Sequence, residues 1–166
     1  MTLLDKHNEY RQRVASGSED SQPGATNMRK LVWDEELATI AQRWSSQCFH
    51  GNDGMRDLCD GTPVGQNIWQ SSDDYEYYAY YVNPDIGDAV ANWYSQMLWG
   101  GFDSTNINPY VYVIYSFLEE IFIKYIFRLD QSYSHYTALM WAETDRVGCG
   151  RVYYEVRYNI CFSLIQ

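Results

Sequence analysis

The sequence predicts a single α+β domain in which helices come first and a pair of strands closes the chain. Apolar residues recur at helical spacing in three segments, and they alternate with polar ones after residue 150. The length of 166 residues suits one domain, residues 1–166, that buries about two-thirds of its unfolded surface. A layered sandwich is one arrangement of these elements, although the pattern alone does not fix the topology.

The first predicted helix carries an N-terminal capping signal. Thr2 precedes it, and Asp5 stands three residues later, as in a capping box. The positions at helical spacing are Leu3, His7, Tyr10, Arg11 and Val14. Turn-forming residues fill 16–26, so we expect this helix to end near Gly17.

The second predicted helix begins after Asp34, a favoured N-cap residue. Glu35 and Glu36 follow in the first turn, where the helix dipole favours negative charge. One apolar stripe then runs along the segment, formed by Leu37, Ile40, Ala41, Trp44 and Cys48. Glycines and Pro63 interrupt the chain beyond it, and we expect loops as far as Tyr81.

The third predicted helix starts at Asn83-Pro84, because proline is tolerated in a first turn. Its helical spacing is carried by Ile86, Val90, Trp93 and Met97. We expect it to end near Gly100. Two strands are expected at the C-terminal end, where apolar and polar residues alternate over 151–157 and again over 160–164.

Charge and hydropathy exclude several functions. The net charge of −10 opposes binding to nucleic acid or to an anionic membrane. The most apolar stretch, 110–127, contains Glu119, Glu120 and Lys124, which argues against a membrane span. The N-terminal residues turn charged at Asp5, so we expect no signal peptide in this chain.

Several residues invite a chemical interpretation without supplying a site. Ser134 next to His135 lacks the turn that presents a nucleophile, and His135 is more simply a hydrogen-bonded histidine that lines a cleft. The tyrosines of 75–81 offer either a ligand surface or loop packing. Acidic residues from Asp53 to Glu76 lack EF-hand spacing, so a solvated face is preferred to calcium binding.

Four segments together resemble the CAP superfamily (SCP domain), specifically the antigen 5 (venom allergen 5) branch of arthropod venom and saliva. SHYTALMWAETDRVGCG at 134–150 is the most specific of them. The others, in the family's order, are HNEYRQRVASG at 7–17, NMRKLVWDEELATIAQRWSSQC at 27–48 and VGQN at 64–67. The resemblance implies an α-β-α sandwich with a small, mainly antiparallel sheet.

Many members of this family hold two histidines and two carboxylates in a central cleft, a set suited to a divalent cation such as zinc. At the matching places this chain has Asn52, Gln66, Gln96 and His135, and His50 lies two residues from Asn52. Amides bind zinc weakly and transfer no protons as carboxylates do. We therefore expect no metal site, no cofactor and no catalytic residue.

The resemblance also bears on the cysteines and on the ends of the domain. It implies a disulfide between Cys149 and Cys161, while Cys48 is left either to pair with Cys59 or to remain a thiol. Residues 108–131 form an apolar insertion relative to the family, and the ending FSLIQ leaves the second family signature incomplete. An incorrect or alternative gene model is one explanation of both departures.

The function that the resemblance implies is that of a secreted, extracellular binding protein without catalytic activity. Its partner would be a small hydrophobic ligand, accommodated between the helices at 3–16 and 84–100, or an extracellular protein of a host. One alternative is a metal-assisted hydrolase centred on His135. Another is a structural or immune-recognised secreted protein.

Overall fold

A computed structural model describes most of the chain. The described residues are 2–20, 22–49, 51–72, 86–99, 102, 134–154 and 158–165, with the backbone alone at 71–72, 153–154 and 158–165. The tyrosine cluster at 75–81, the Asn83-Pro84 cap, His50 and the insertion at 108–131 lie outside these residues.

The first helix, α1, spans Leu3–Ala15 and confirms the predicted capping box. The Thr2 hydroxyl accepts the Asp5 N–H at 3.1 Å, and the Asp5 carboxylate accepts the Thr2 N–H at 3.1 Å. Gly17 follows with φ +70°, a left-handed conformation that glycine adopts without steric cost. The helix therefore ends where the turn-forming residues predict.

The second helix, α2, spans Glu35–Ser45 after a two-residue strand, β1, at Val32–Trp33. The Asp34 carboxylate accepts the Leu37 N–H at 2.9 Å, which confirms the predicted N-cap. The extension of the apolar stripe to Cys48 is wrong, because Cys48 lies beyond the helix and is exposed. The Ser45 and Ser46 hydroxyls hydrogen-bond carbonyl oxygens one turn back, a pattern that competes with helix continuation.

Two further helices complete the described α structure. The helix α3 spans Ile86–Trp99, as the apolar spacing predicts, and the short helix α4 at Ser134–Leu139 contains His135. Among the described residues, no helix combines the length and apolar character needed to cross a membrane.

In the described part of the chain, a four-stranded sheet lies between the helices, in the order β1-β3-β4-β2. The remaining strands are β2 (Gly65–Ser72), β3 (Arg146–Tyr154) and β4 (Tyr158–Ile165). β4 pairs antiparallel with both β2 and β3, whereas β1 is parallel to β3. The C-terminal strand pair is thus confirmed, but β2 lies where loops were expected, and that prediction is wrong.

The two faces of the sheet carry different helices, which makes the domain an α-β-α sandwich. On one face, Val147 and Cys149 pack into a core built by α1, α3 and α4, with Leu3, Val90, Trp93, Met97, Tyr136 and Leu139 among its buried members. On the other face, Val152 and Ile68 pack against α2 through Leu37, Ile40 and Ala41. The apolar stripes of α1 and α3 accordingly lie within the core.

Candidate functional site

The clearest polar contact among the predicted site residues joins Gln96 of α3 to His135 of α4. The Gln96 Oε1 accepts the backbone N–H of His135 at 2.9 Å and that of Tyr136 at 3.2 Å. The Gln96 Nε2 lies 2.6 Å from the His135 Nδ1. Two of the four residues at the matching cleft positions are therefore in direct contact, and both are uncharged in this arrangement.

Burial determines the electrostatics of the His135 imidazole. The residue is half-buried, and its ring lies 6.4 Å, centroid to centroid, from the Trp93 indole. Desolvation lowers the pKa of His135 below its ordinary value, because the charged form loses its hydration. The ring is consequently neutral at physiological pH, when it can accept hydrogen bonds at one nitrogen and donate at the other.

Asn67 of β2 connects the sheet to this pair and was not singled out from the sequence. Its side-chain amide donates to the His135 carbonyl oxygen at 3.0 Å, and the residue is buried. The Trp93 Nε1 donates to the Ile68 carbonyl oxygen at 3.1 Å, which ties α3 to the same strand. The VGQN segment could have pointed to this residue, because an amide side chain that is buried in a strand needs hydrogen-bond partners.

Gln66 lies on the other face of the sheet from Asn67. Side chains alternate along a strand, and the neighbouring Ile68 packs on the α2 side. The Gln66 Oε1 accepts the Asp53 N–H at 2.8 Å, while its Nε2 is buried without a hydrogen-bond partner in the described part of the chain. Asn52, the residue before Asp53, is exposed. The contacts thus group Gln66 with the loop at 52–53.

The expectation that Asp53 belongs to a solvated acidic face is wrong. It is buried rather than part of a solvated acidic face, and its carboxylate accepts from the Arg43 guanidinium at 2.7 Å. This ion pair anchors the loop at 52–53 to α2. The carboxylate is therefore engaged in structure and not offered to a cation.

The donor set does not fit a zinc ion. The matching positions supply amide groups where the family's set has carboxylates, and the one described imidazole among them faces an amide. Within the described ranges, no group of three or more His, Cys, Asp or Glu side chains lies close enough to hold a metal ion.

Arg11 of α1 positions the segment that follows His135. Its guanidinium is 2% exposed and donates to backbone carbonyl oxygens of Leu139, Trp141 and Thr144 at 2.8–3.0 Å, and of Arg29 at 2.7 Å. Burial lowers the pKa of Arg11 to about 10, so the side chain stays charged at neutral pH. The sequence did offer one sign of this role, because Arg11 is a charged residue at a position of α1 that the helical spacing places facing the core.

Aromatic rings fill the contact between α1 and α3. Tyr10 stacks on Tyr94 with ring centroids 4.0 Å apart, and Tyr94 meets Tyr136 edge-on at 5.7 Å. The Tyr94 hydroxyl donates to the Glu19 carboxylate at 2.5 Å, and burial raises the pKa of Tyr94. In this structure the two helices pack directly against each other.

The register of β3 and β4 places the two C-terminal cysteines on one face of the sheet. Cys149 is opposite Ser163, and Cys161 is opposite Arg151, so the cysteines occupy diagonal positions on adjacent strands. The side chain of Cys161 lies outside the described residues. The disulfide between Cys149 and Cys161 stays a prediction.

These features define a class of protein: an α-β-α sandwich domain in which a histidine of one helix contacts a glutamine of another on one side of the sheet. A family model described as CAP, the cysteine-rich secretory protein family, matches residues 4–165. The chain belongs to this family, and the resemblance found in the sequence is confirmed.

The known proteins most similar in sequence include venom allergens. The chain is 35% identical to venom allergen 3 of Solenopsis invicta over 158 residues, which are 92% of this chain and 58% of that protein. It is 36% identical to venom allergen 5 of Vespula vidua over 157 residues, which are 92% and 64% of the two chains. The chain thus spans about three-fifths of the length of these relatives.

A solved structure confirms the fold. The venom allergen-like protein 4 of Schistosoma mansoni superposes with a TM-score of 0.66 at 20% sequence identity, covering 97% of this chain and 83% of the other. The predicted CAP-type sandwich is therefore the fold of this domain.

Proposed function

We propose that this chain is an extracellular, non-catalytic CAP domain that binds a small hydrophobic ligand or an extracellular protein. Its secretion is inferred from its family, described as secretory, and from relatives named as venom allergens.

The observation that carries the non-catalytic part is the contact between Gln96 and His135. General acid–base catalysis needs a group that gains or loses a proton in the working pH range. An amide does neither, so the Gln96 side chain that contacts the His135 ring cannot donate or remove a proton in a reaction. The hydrolase alternative lacks a carboxylate next to this histidine, so no described contact favours it.

The surface proposed for a hydrophobic ligand is the contact between α1 and α3. Apolar and aromatic side chains dominate it, including Leu3, Val90 and the stacked pair Tyr10 and Tyr94. Tyr10 is only partly buried, so its ring forms the accessible edge of the contact. An acyl chain entering there would replace ring–ring contacts with ring–methylene contacts of similar apolar character.

Native mass spectrometry tests this proposal. The purified protein is incubated with a panel of fatty acids and sterols, beside a lipid-binding protein as positive control. We expect retained lipid in the wild type and reduced retention in Tyr10→Ala, which removes the stacked ring. Gln12→Ala, on the exposed face of the same helix, is the matched control.

Failure to retain any lipid, under conditions that load the positive control, contradicts the ligand-binding part. Hydrolysis of ester substrates that His135→Ala abolishes would contradict the non-catalytic part. If neither a ligand nor a protein partner is found in broad screens, the alternative of a structural or immune-recognised secreted protein gains support.

A further inference from the structure

We propose that Gln96 determines what His135 can bind: it holds the imidazole with its proton on Nε2, leaving a hydrogen-bond donor for a ligand oxygen and closing the position to zinc. The inference concerns the contact between Gln96 of α3 and His135 of α4, and it rests on the proposed binding function for the existence of a ligand. The inference predicts that the ring proton of His135 stays on Nε2, and this can be measured on the protein without a ligand.

The backbone fixes the orientation of the Gln96 amide. The N–H groups of His135 and Tyr136 can only donate, so the Gln96 atom that contacts both of them is the oxygen. The atom that faces the His135 Nδ1 is therefore the NH2 group, 2.6 Å away. An NH2 group can only donate, so Nδ1 must accept, and the ring proton resides on Nε2.

Metal binding requires the opposite arrangement. A histidine that ligates a metal through Nε2 carries its proton on Nδ1 and commonly donates it to a carboxylate or carbonyl oxygen. In this chain an Nδ1–H would face the Gln96 NH2 group, donor against donor. Turning the amide over would place that NH2 group against two backbone N–H groups instead, so neither orientation supports the metal-binding tautomer.

The same arrangement gives the position a defined ligand preference. The Nε2–H is a neutral donor, and Gln96, the side chain that contacts the ring, carries no charge. With a chain net charge of −10, an anionic ligand is disfavoured at long range. The ligand class that fits is an uncharged carbonyl or hydroxyl oxygen, such as the polar end of a largely apolar molecule.

Long-range 1H–15N NMR of the histidine rings tests the tautomer directly. The wild type, Gln96→Glu and Gln66→Glu are labelled with 15N, and His135→Gln assigns the signals. In the wild type we expect Nδ1 unprotonated and no response of the His135 ring to ZnCl2. Gln96→Glu supplies an acceptor, so the proton should move to Nδ1, and Zn2+ should perturb the ring at concentrations at least roughly tenfold below the highest one that leaves the wild-type ring unchanged.

Gln66→Glu is the matched control, because it adds the same charge on the α2 side of the sheet and should leave the His135 tautomer unchanged. The inference is overturned if the wild-type proton resides on Nδ1, or if Zn2+ perturbs the wild-type ring as strongly as that of Gln96→Glu. Should Gln96→Glu fail to fold, the wild-type spectrum alone decides. No lipid is present, so failure here is distinguishable from failure to retain lipid.

Discussion

Gly148 of β3 lies directly against the backbone of Ala38 in α2. A Cβ added to Gly148 would fall 2.1 Å from the Ala38 amide nitrogen, and one added to Gly150 would fall 2.2 Å from that of Gln42. Both contacts involve backbone atoms, which cannot turn aside as a flexible side chain can. The glycines of VGCG therefore permit the close approach of helix and sheet.

We expect Gly148→Ala and Gly150→Ala to lower the free energy of unfolding by about 3 kcal/mol or more each, because the added methyl group forces α2 away from the sheet. Urea denaturation followed by circular dichroism measures this. Gly54→Ala is the control: a Cβ there meets nothing within 4 Å, so the change should stay below about 1 kcal/mol. Equal losses at all three positions would contradict the close-packing account.

Arg11 offers a second test, on the segment after α4. Replacement by Met removes the guanidinium donors from the buried carbonyl oxygens of Leu139 and Thr144, and we expect a loss of about 3 kcal/mol or more in unfolding free energy. Lys should not rescue it, since an ammonium group lacks the planar fork of donors. Hydrogen exchange should accelerate over 139–144.

The control for this prediction is Arg13→Met, two residues away on the exposed face of α1, with an expected change within about 0.5 kcal/mol. Full stability in Arg11→Lys would show that charge alone, and not the guanidinium geometry, holds the segment.

His7 predicts a pH dependence of stability. It is fully buried, its Nδ1 hydrogen-bonds the Leu3 carbonyl oxygen at 2.9 Å, and its Nε2 has no partner among the described residues. Burial lowers the pKa of His7 from 6.5 to about 4. The unfolded chain thus binds this proton at higher pH than the folded one, so the stabilisation is complete above pH 6.5 and is lost as the pH falls to 4.

The expected loss attributable to His7 between pH 7 and pH 4 is about 3 kcal/mol. His7→Leu removes the titrating group. Between pH 7 and pH 4 the unfolding free energy of this variant should therefore fall by about 3 kcal/mol less than that of the wild type. His135→Gln measures separately the contribution of the half-buried imidazole of His135. Parallel pH profiles for the wild type and His7→Leu would refute the prediction.

The disulfide between Cys149 and Cys161 is a prediction about the oxidised protein. Peptide mapping by mass spectrometry without reductant should recover the two cysteines in one linked fragment. Its reduction should cost roughly 3 kcal/mol of stability, by the loop-closure estimate. Recovery of alkylated Cys149 and Cys161 from protein that was never reduced would contradict it.

Local signals in the sequence predicted the elements whose ends are set by side chains close in the chain. The caps at Thr2 and Asp34 and the stripe of α3 are cases in which a few neighbouring residues determine the structure. β2 was missed because its two faces are both mixed in polarity, as the neighbours Asn67 and Ile68 illustrate. Each packs against a different helical layer, and the sequence pattern of one strand does not show which layer covers which face.

In the site too, the sequence predicted some contacts, whereas others depend on the fold. Motif positions led to Gln96 and His135, which the structure places in contact. They did not reveal that Gln66 accepts from Asp53 on the α2 side, because that depends on the strand's alternation and on the Arg43 ion pair. Asn67 and Arg11 contact residues far along the chain, so only the fold reveals their roles.

The partners of Arg11 are neutral carbonyl dipoles and not carboxylates. Surface ion pairs such as Lys6–Glu9 weaken as ionic strength rises, whereas a buried charge among fixed dipoles is screened much less. The segment that follows His135 is therefore held by an interaction nearly insensitive to salt, in a chain whose net charge of −10 makes other long-range forces salt-dependent. The segment at 139–144 should keep one geometry in dilute and in concentrated saline solution.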